Sequence, residues 1–273
     1  MINIKKLSFN YGNSQLFNNL DLSLASNKIY GLLGKNGAGK TTLLKIIAGL
    51  LSTKNGECIV LEEDAKNRNP LILQEIYFIP ETFSLPDMTI EQYQELYSPF
   101  YKSFNANLFS VKLEEFEIKK DSNLQKISFG QKKKFLLAFG LSTSCKIFIF
   151  DEPTNALDIP SQRIVRKNIK ELKQSERIVI ISTHYVKEME DIFDNIIILD
   201  NGEIILEKNI NSILEKMSFK TLQTLDNIPN IVYQEKLSTA FSVITQEKSE
   251  DNKIDIELLF NAILNNKNIV KIF

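Results

Sequence analysis

The sequence predicts an α/β fold with a mainly parallel central sheet. Three observations carry that expectation. Short apolar runs bounded by turn residues, Lys28-Ile29-Tyr30-Gly31-Leu32-Leu33 and Lys146-Ile147-Phe148-Ile149-Phe150, fit strands buried on both faces. Segments with apolar residues at helical spacing alternate with such runs. A glycine-rich loop joins the first of these strands to a helix. Hydrophobic residues make up 43% of the 273, which suits one large domain or a large one with a small one.

Taken in order, residues 2–9 read as a strand. Residues 20–24 read as a second, because Leu20, Leu22 and Leu24 alternate with polar residues. After the buried strand at 28–33, a helix runs from 40 to about 50 with Leu43, Leu44, Ile46 and Ile47 on one stripe. Residues 75–79 form a short strand stopped by Pro80. From 84 to about 140 the apolar spacing is helical, through Ile90, Tyr93, Leu96, Tyr97, then Leu108, Val111, Leu113, then Phe135, Leu136, Phe139. That predicts a mainly helical insert. A strand at 146–150, a helix at 161–172 and strands at 177–181 and 196–199 follow. Asn201-Gly202 is a hairpin signal, so 203–206 should pair back. Near Ser218 the pattern restarts: 230–244 is strand-rich with a turn, 254–264 is helical, and 268–273 reads as a strand. The expected organisation is a domain at 1–217, with a helical subdomain at about 84–140, and a small α+β domain at 218–273.

The formal net charge is −1, which argues against a basic nucleic-acid-binding domain. Cys58 and Cys145 lie far apart and fit no metal or redox spacing, so both read as reduced and structural. The first ten positions carry no signal pattern, and no run approaches the roughly 20 apolar residues that span a bilayer. The expectation is a soluble chain whose link to a membrane runs through a partner.

Gly34-Lys35-Asn36-Gly37-Ala38-Gly39-Lys40-Thr41 matches G-x-x-x-x-G-K-[ST], with Thr42 continuing into the helix. Its setting, a buried strand before and a helix after, is the one a phosphate loop requires. The glycines let the backbone wrap a polyphosphate, and the helix N-terminus favours its charge. Lys40 is expected at the β- and γ-phosphates of ATP and Thr41 Oγ1 on Mg²⁺. Asp151-Glu152 follow a buried strand directly. Two carboxylates there are costly without a cation or a reacting partner. Asp151 is expected to hold Mg²⁺, and Glu152 to take a proton from attacking water.

From here the sequence resembles the ATP-binding cassette ATPases over about residues 1–210. Ile127-Ser128-Phe129-Gly130-Gln131 is similar to their LSGGQ signature, Asn155-Ala156-Leu157-Asp158 to the D-loop, and Ser182-Thr183-His184 to the switch-histidine segment. Tyr11-Gly12 occupies the place of the aromatic A-loop. The resemblance implies a P-loop NTPase nucleotide-binding domain with a mixed sheet, a helical subdomain and a small C-terminal extension. It implies that Tyr11 stacks on adenine, with a strand-end core tyrosine as the alternative. It also implies that Ser128, Gly130 and Gln131 face the nucleotide of the opposite subunit, a role compatible with Ser128 as a helix cap. His184, the only histidine, is implied at the γ-phosphate, and Asp158 near the dimer interface.

Two departures stand out. Phe129 replaces the first glycine of the signature, leaving Gly130 as the closer backbone approach to phosphate. The Q-loop position is Glu81, where the family's glutamine offers a neutral carbonyl; as a glutamate it either contacts metal or water, or faces solvent. Lys132-Lys133-Lys134 reads as a solvated helix face, with phosphate or lipid headgroups as the alternative.

The resemblance implies the ATPase subunit of a membrane transporter, of exporter type, paired as a homodimer or with a second cassette. An integral permease is the implied partner, at the cytoplasmic face of the membrane, with no nucleic acid. The competing expectations are a soluble cassette ATPase acting on ribosomes or DNA, and a nucleotide-dependent regulatory module.

Overall fold

The computed structural model describes residues 1–273 apart from 174, 175, 227 and 252. The chain begins with β1 (Ile2–Tyr11), β2 (Ser14–Leu24), β3 (Lys28–Leu33), α1 (Lys40–Ile47), β4 (Asn55–Val60), β5 (Glu63–Asp64), α2 (Pro70–Leu73) and β6 (Ile76–Ile79). It continues through α3 (Ile90–Tyr97), α4 (Ala106–Glu115), α5 (Phe129–Ser142), β7 (Ile147–Asp151), α6 (Ile159–Leu172), β8 (Ile178–Ser182), β9 (Asn195–Asp200) and β10 (Glu203–Asn209). It ends with α7 (Ile210–Leu214), β11 (Ser218–Leu222), β12 (Ile231–Lys236), β13 (Phe241–Thr245) and α8 (Ile256–Asn265), then a 3₁₀ segment at Lys267–Ile272.

The central sheet has the order β10-β9-β3-β8-β7-β6. Its neighbours are parallel except for β10, which returns antiparallel after Asn201-Gly202 as expected. Every residue of β7, β8 and β9 is buried, because helices or a second sheet cover both faces. The strand period of two divides them between two cores. Tyr30, Leu32, Ile147, Ile149, Ile178, Ile180, Ile197 and Leu199 join α1 and the antiparallel sheet β2-β1-β4-β5. Ile29, Leu33, Phe148, Phe150, Val179, Ile181, Ile196 and Ile198 join the helical insert and α6.

The insert is fixed to β6 by aromatic packing. Tyr77 donates to the Leu136 carbonyl at 2.8 Å, and its ring passes so close to α5 that a Cβ on Gly140 would fall 2.0 Å from it. Tyr93 meets Phe135 and Phe139 edge-on. The sheet β11-β13-β12 and α8 bury Ile244, Ile256, Leu259 and Ile263 in the same core as Val186, Met189 and Met217. Both cysteines are buried free thiols, each pushed up to about 12 by burial.

Several expectations change. Residues 268–273 form no strand: the Asn266 side chain accepts from Asn268 N–H and starts a 3₁₀ helix that buries Ile269. The helix after the phosphate loop stops at Ile47, because Gly49 turns left-handed at φ +70°. β4 escapes sequence reading because Gly56 and Glu57 interrupt it; only pairing with β1 makes it a strand.

A nucleotide site at the ends of the central strands

β3 delivers the chain into the loop at 34–39. Gly34 backs onto β9, where a Cβ would fall 2.4 Å from the Leu199 carbonyl oxygen. Gly39 caps α1 at φ +110°, in a conformation L side chains rarely adopt, and a Cβ there would press on Phe17 at 2.7 Å. Ala38 is buried behind the loop. Asn36, Gly37, Gly39, Lys40, Thr41 and Thr42 line a cavity of about 510 Å³, which Tyr11, Leu16, Glu81, Asp151, Glu152 and His184 complete.

Lys40 Nζ lies across the loop, 2.6 Å from the Gly34 carbonyl and 3.2 Å from that of Lys35. Burial lowers its pKa, against the pull of Glu152, Asp151 and Glu81. Thr41 Oγ1 donates to Asp151 Oδ2 at 2.6 Å, and the Ser182 hydroxyl donates to Oδ1. Asp151 is 1% exposed and has no ion pair among the described residues. A buried carboxylate with only hydroxyl partners, opening beside a phosphate loop, fits a divalent cation. Among the described residues no group of three or more His, Cys, Asp or Glu side chains could hold a metal alone. The donor set therefore fits Mg²⁺ carried on phosphate oxygens, with Thr41 and Asp151 as the protein's share.

Glu152 sits one residue beyond β7 at φ +52°, left-handed for a non-glycine residue. Its N–H donates to the Ser182 carbonyl at 3.0 Å. Its Oε1 lies 2.7 Å from His184 Nδ1, and Thr183 Oγ1 is 3.4 Å from Oε2. With the carboxylate ionised, Nδ1 is the donor and Nε2 stays free for a ligand. Burial raises the Glu152 pKa, opposed by His184 and Lys40. Tyr11, half exposed at the cavity rim, has its hydroxyl 3.2 Å from Thr42 Oγ1.

The residues of the signature-like and D-loop segments gather elsewhere. Ser128 and Gln131 form a capping box at the start of α5, each side chain bonded to the other's backbone N–H. A Cβ on Gly130 would fall 2.8 Å from the Ala156 carbonyl, so packing within the chain already demands glycine there. Asp158 caps α6 through Ser161 N–H and lies 3.7 Å from Lys134 Nζ.

The lysine run is not one solvated face. Lys133 is fully buried, and its Nζ donates to the Glu152 carbonyl at 2.6 Å. Its spacing to Leu136, Leu137 and Gly140 puts it on the buried stripe of α5, a signal present in the sequence. Leu16 is not among the residues expected from the sequence, and Ser182 and Thr183 are expected only as part of the switch-histidine segment; their place at the end of β8, with Ser182 level with Asp151, is the signal that puts them beside the two carboxylates.

The fold and this loop define a P-loop ATPase. A family model described as ABC transporter matches residues 17–155. The chain belongs to that family: it is an ATP-binding cassette ATPase, the ATP-binding subunit that powers a transporter. It is 27% identical over 221 residues to the Nod factor export ATP-binding protein I of Cupriavidus metallidurans, covering 79% of this chain and 72% of that one. It is 28% identical over 288 residues to an energy-coupling factor transporter ATP-binding protein of Fusobacterium nucleatum, covering 97% and 99%. The solved ATP-binding subunit of an ABC transporter superposes with a TM-score of 0.72 at 24% identity, over 78% of this chain and 91% of that one. A dimeric ATP-binding cassette with ADP and Pi gives 0.68 at 22%, over 77% and 98%. Among the described residues no helix is long and apolar enough to cross a membrane.

Proposed function

We propose that this cassette drives an exporter, pairing with a second copy or another cassette beneath an integral membrane permease on the cytoplasmic face. The observation that carries the catalytic reading is the 2.7 Å contact between Glu152 and His184, at a cavity lined by Lys40, Thr41 and Asp151. Tyr11 stacks on adenine. Asn36 to Thr42 wrap the phosphates, and Lys40 follows the charge that develops on the transferred group. Thr41 and Asp151 would hold Mg²⁺, with Glu81 beside the ion or the water, and the ion would supply neutralisation of phosphate charge. Glu152 takes the proton of the attacking water, and His184, oriented by that carboxylate, presents Nε2 to the γ-phosphate. Ser128, Gly130, Gln131 and Asp158 complete the opposite subunit's site, so hydrolysis needs two cassettes. Residues 218–273 act as a small α+β extension that shares the core of the main domain.

The exporter assignment is supported by the relatives whose names give Nod factor export. The test has two parts. Glu152→Gln should bind ATP and barely hydrolyse it; near-normal steady-state turnover removes Glu152 from its role. Purification from membranes should bring a polytopic partner with it, whereas tight retention on ribosomes or DNA would overturn the transport reading.

A further inference from the structure

Lys133 is a fully buried lysine in the first turns of α5. Burying an ammonium is costly, and burial lowers its pKa. Apolar side chains fill the rest of this helix face, so a lysine is not needed for packing. Among the described residues its hydrogen bond is to the Glu152 carbonyl, at 2.6 Å. The ammonium also lies 5.7 Å from the centroid of the Phe129 ring.

The acceptor belongs to a residue held in an uncommon backbone conformation. Glu152 is left-handed at φ +52°, a conformation that persists only when its surroundings over-determine it. Its N–H is held by the Ser182 carbonyl at 3.0 Å. Its carbonyl is held by Lys133 at 2.6 Å, and more loosely by Asn155 N–H at 3.3 Å. The charge-assisted bond is the short one.

We propose that Lys133 is a positioning residue for ATP hydrolysis: by fixing the Glu152 peptide it aims the carboxylate at His184 and the cavity, and it makes that aim depend on where α5 sits. The proposal rests on the reading of Glu152 as the base. α5 touches the 152–158 segment at three successive points: Lys133 at Glu152, Gly130 at Ala156, and Lys134 at Asp158. The same helix opens on Ser128, assigned above to the opposite nucleotide. A displacement of α5 at one site is thereby felt at the carboxylate of the other.

The test compares Lys133→Met and Lys133→Arg with Glu152→Gln in the full chain. Lys133→Met keeps the stem and removes the charge and the donor. Its turnover should fall about tenfold or more, while KM and the affinity for a fluorescent ATP analogue stay within about twofold. Lys133→Arg should recover most of the turnover, since a guanidinium can still donate to the carbonyl. If the methionine chain does not fold, Lys133→Gln takes its place with the same split expected. Unchanged turnover overturns the proposal, as does a loss of affinity in step with turnover, or an arginine chain no better than the methionine one. If Glu152→Gln still turns over, the reading of Glu152 fails. If Glu152→Gln is inactive and Lys133→Met is not slowed, this proposal alone fails.

Discussion

The rings of Phe83 and Phe129 stack, with centroids 5.0 Å apart and planes 19° from parallel. Phe83 lies two residues beyond Glu81, and Phe129 stands where the family signature has glycine. The stack therefore joins the loop after β6 to the first residue of α5, a contact that a glycine could not make. Phe129 remains 41% exposed, so its truncation should cost less than that of a buried ring, about 1–2 kcal/mol. A double-mutant cycle with Phe83→Ala and Phe129→Ala, read from denaturant midpoints, should give a coupling of about 1 kcal/mol. Additive losses would mean that the rings only adjoin.

Some of this molecule was legible in the sequence, because local chemistry decided it. β3 and β7 are continuous apolar runs, and only strands covered on both faces tolerate that. In the loop at 34–41, Gly34 and Gly39 stand where backbone passes against Leu199 and Phe17. What stayed hidden depends on distant partners. Lys133 reads as surface by residue type; its role appears only once the Glu152 carbonyl is opposite it. Gly130 reads as a phosphate contact, yet the nearby Ala156 carbonyl already excludes a side chain. The final segment alternates like a strand, but the Asn266 cap turns it into a helix.

Gly202 should tolerate no side chain. It sits at φ +78° in the β9–β10 turn, and a Cβ there would overlap the Leu16 carbonyl oxygen at 1.7 Å. Backbone cannot yield as a side-chain tip does, so Gly202→Ala should cost about 3 kcal/mol or more. Leu16 also lines the nucleotide cavity, so ATP affinity should fall as well. Thermal unfolding and nucleotide titration on the same sample check both effects.

Tyr11 offers a separable test of the adenine contact. Tyr11→Ala should weaken ATP binding by about tenfold, whereas Tyr11→Phe keeps the ring and loses only the contact to Thr42. Equal losses in the two variants would shift the importance from the ring to the hydroxyl.

Lys40→Met should act differently from Glu152→Gln. Lys40 bonds to loop carbonyls and reaches into the cavity, so its removal should lower both ATP affinity and turnover. Glu152→Gln should leave affinity intact. Equilibrium binding on the two chains, with Mg²⁺ present, separates the phosphate-holding group from the proton acceptor. Undiminished ATP affinity in Lys40→Met would sink the assignment.

Stability should carry the mark of Glu152 with a definite sign. Burial raises its carboxyl pKa above the ordinary 4.5, against the hydrogen bond from His184 and the charge of Lys40. A carboxyl raised in this way binds its proton more tightly in the folded chain than in the unfolded one. Its stabilising contribution is then complete below pH 4.5 and is lost as pH rises through the folded pKa. At neutral pH the ionised side chain works against folding, and a neutral isostere relieves it. The Glu152→Gln chain should therefore unfold at higher denaturant than the unsubstituted chain at about pH 7.5, and the gap should close as the pH is lowered past the ordinary glutamate value. Denaturant midpoints measured across that range decide the matter. A gap of the opposite sign at neutral pH would mean that the bond to His184 outweighs the desolvation of the carboxylate, and the site would then hold its base by pairing instead of straining it by burial.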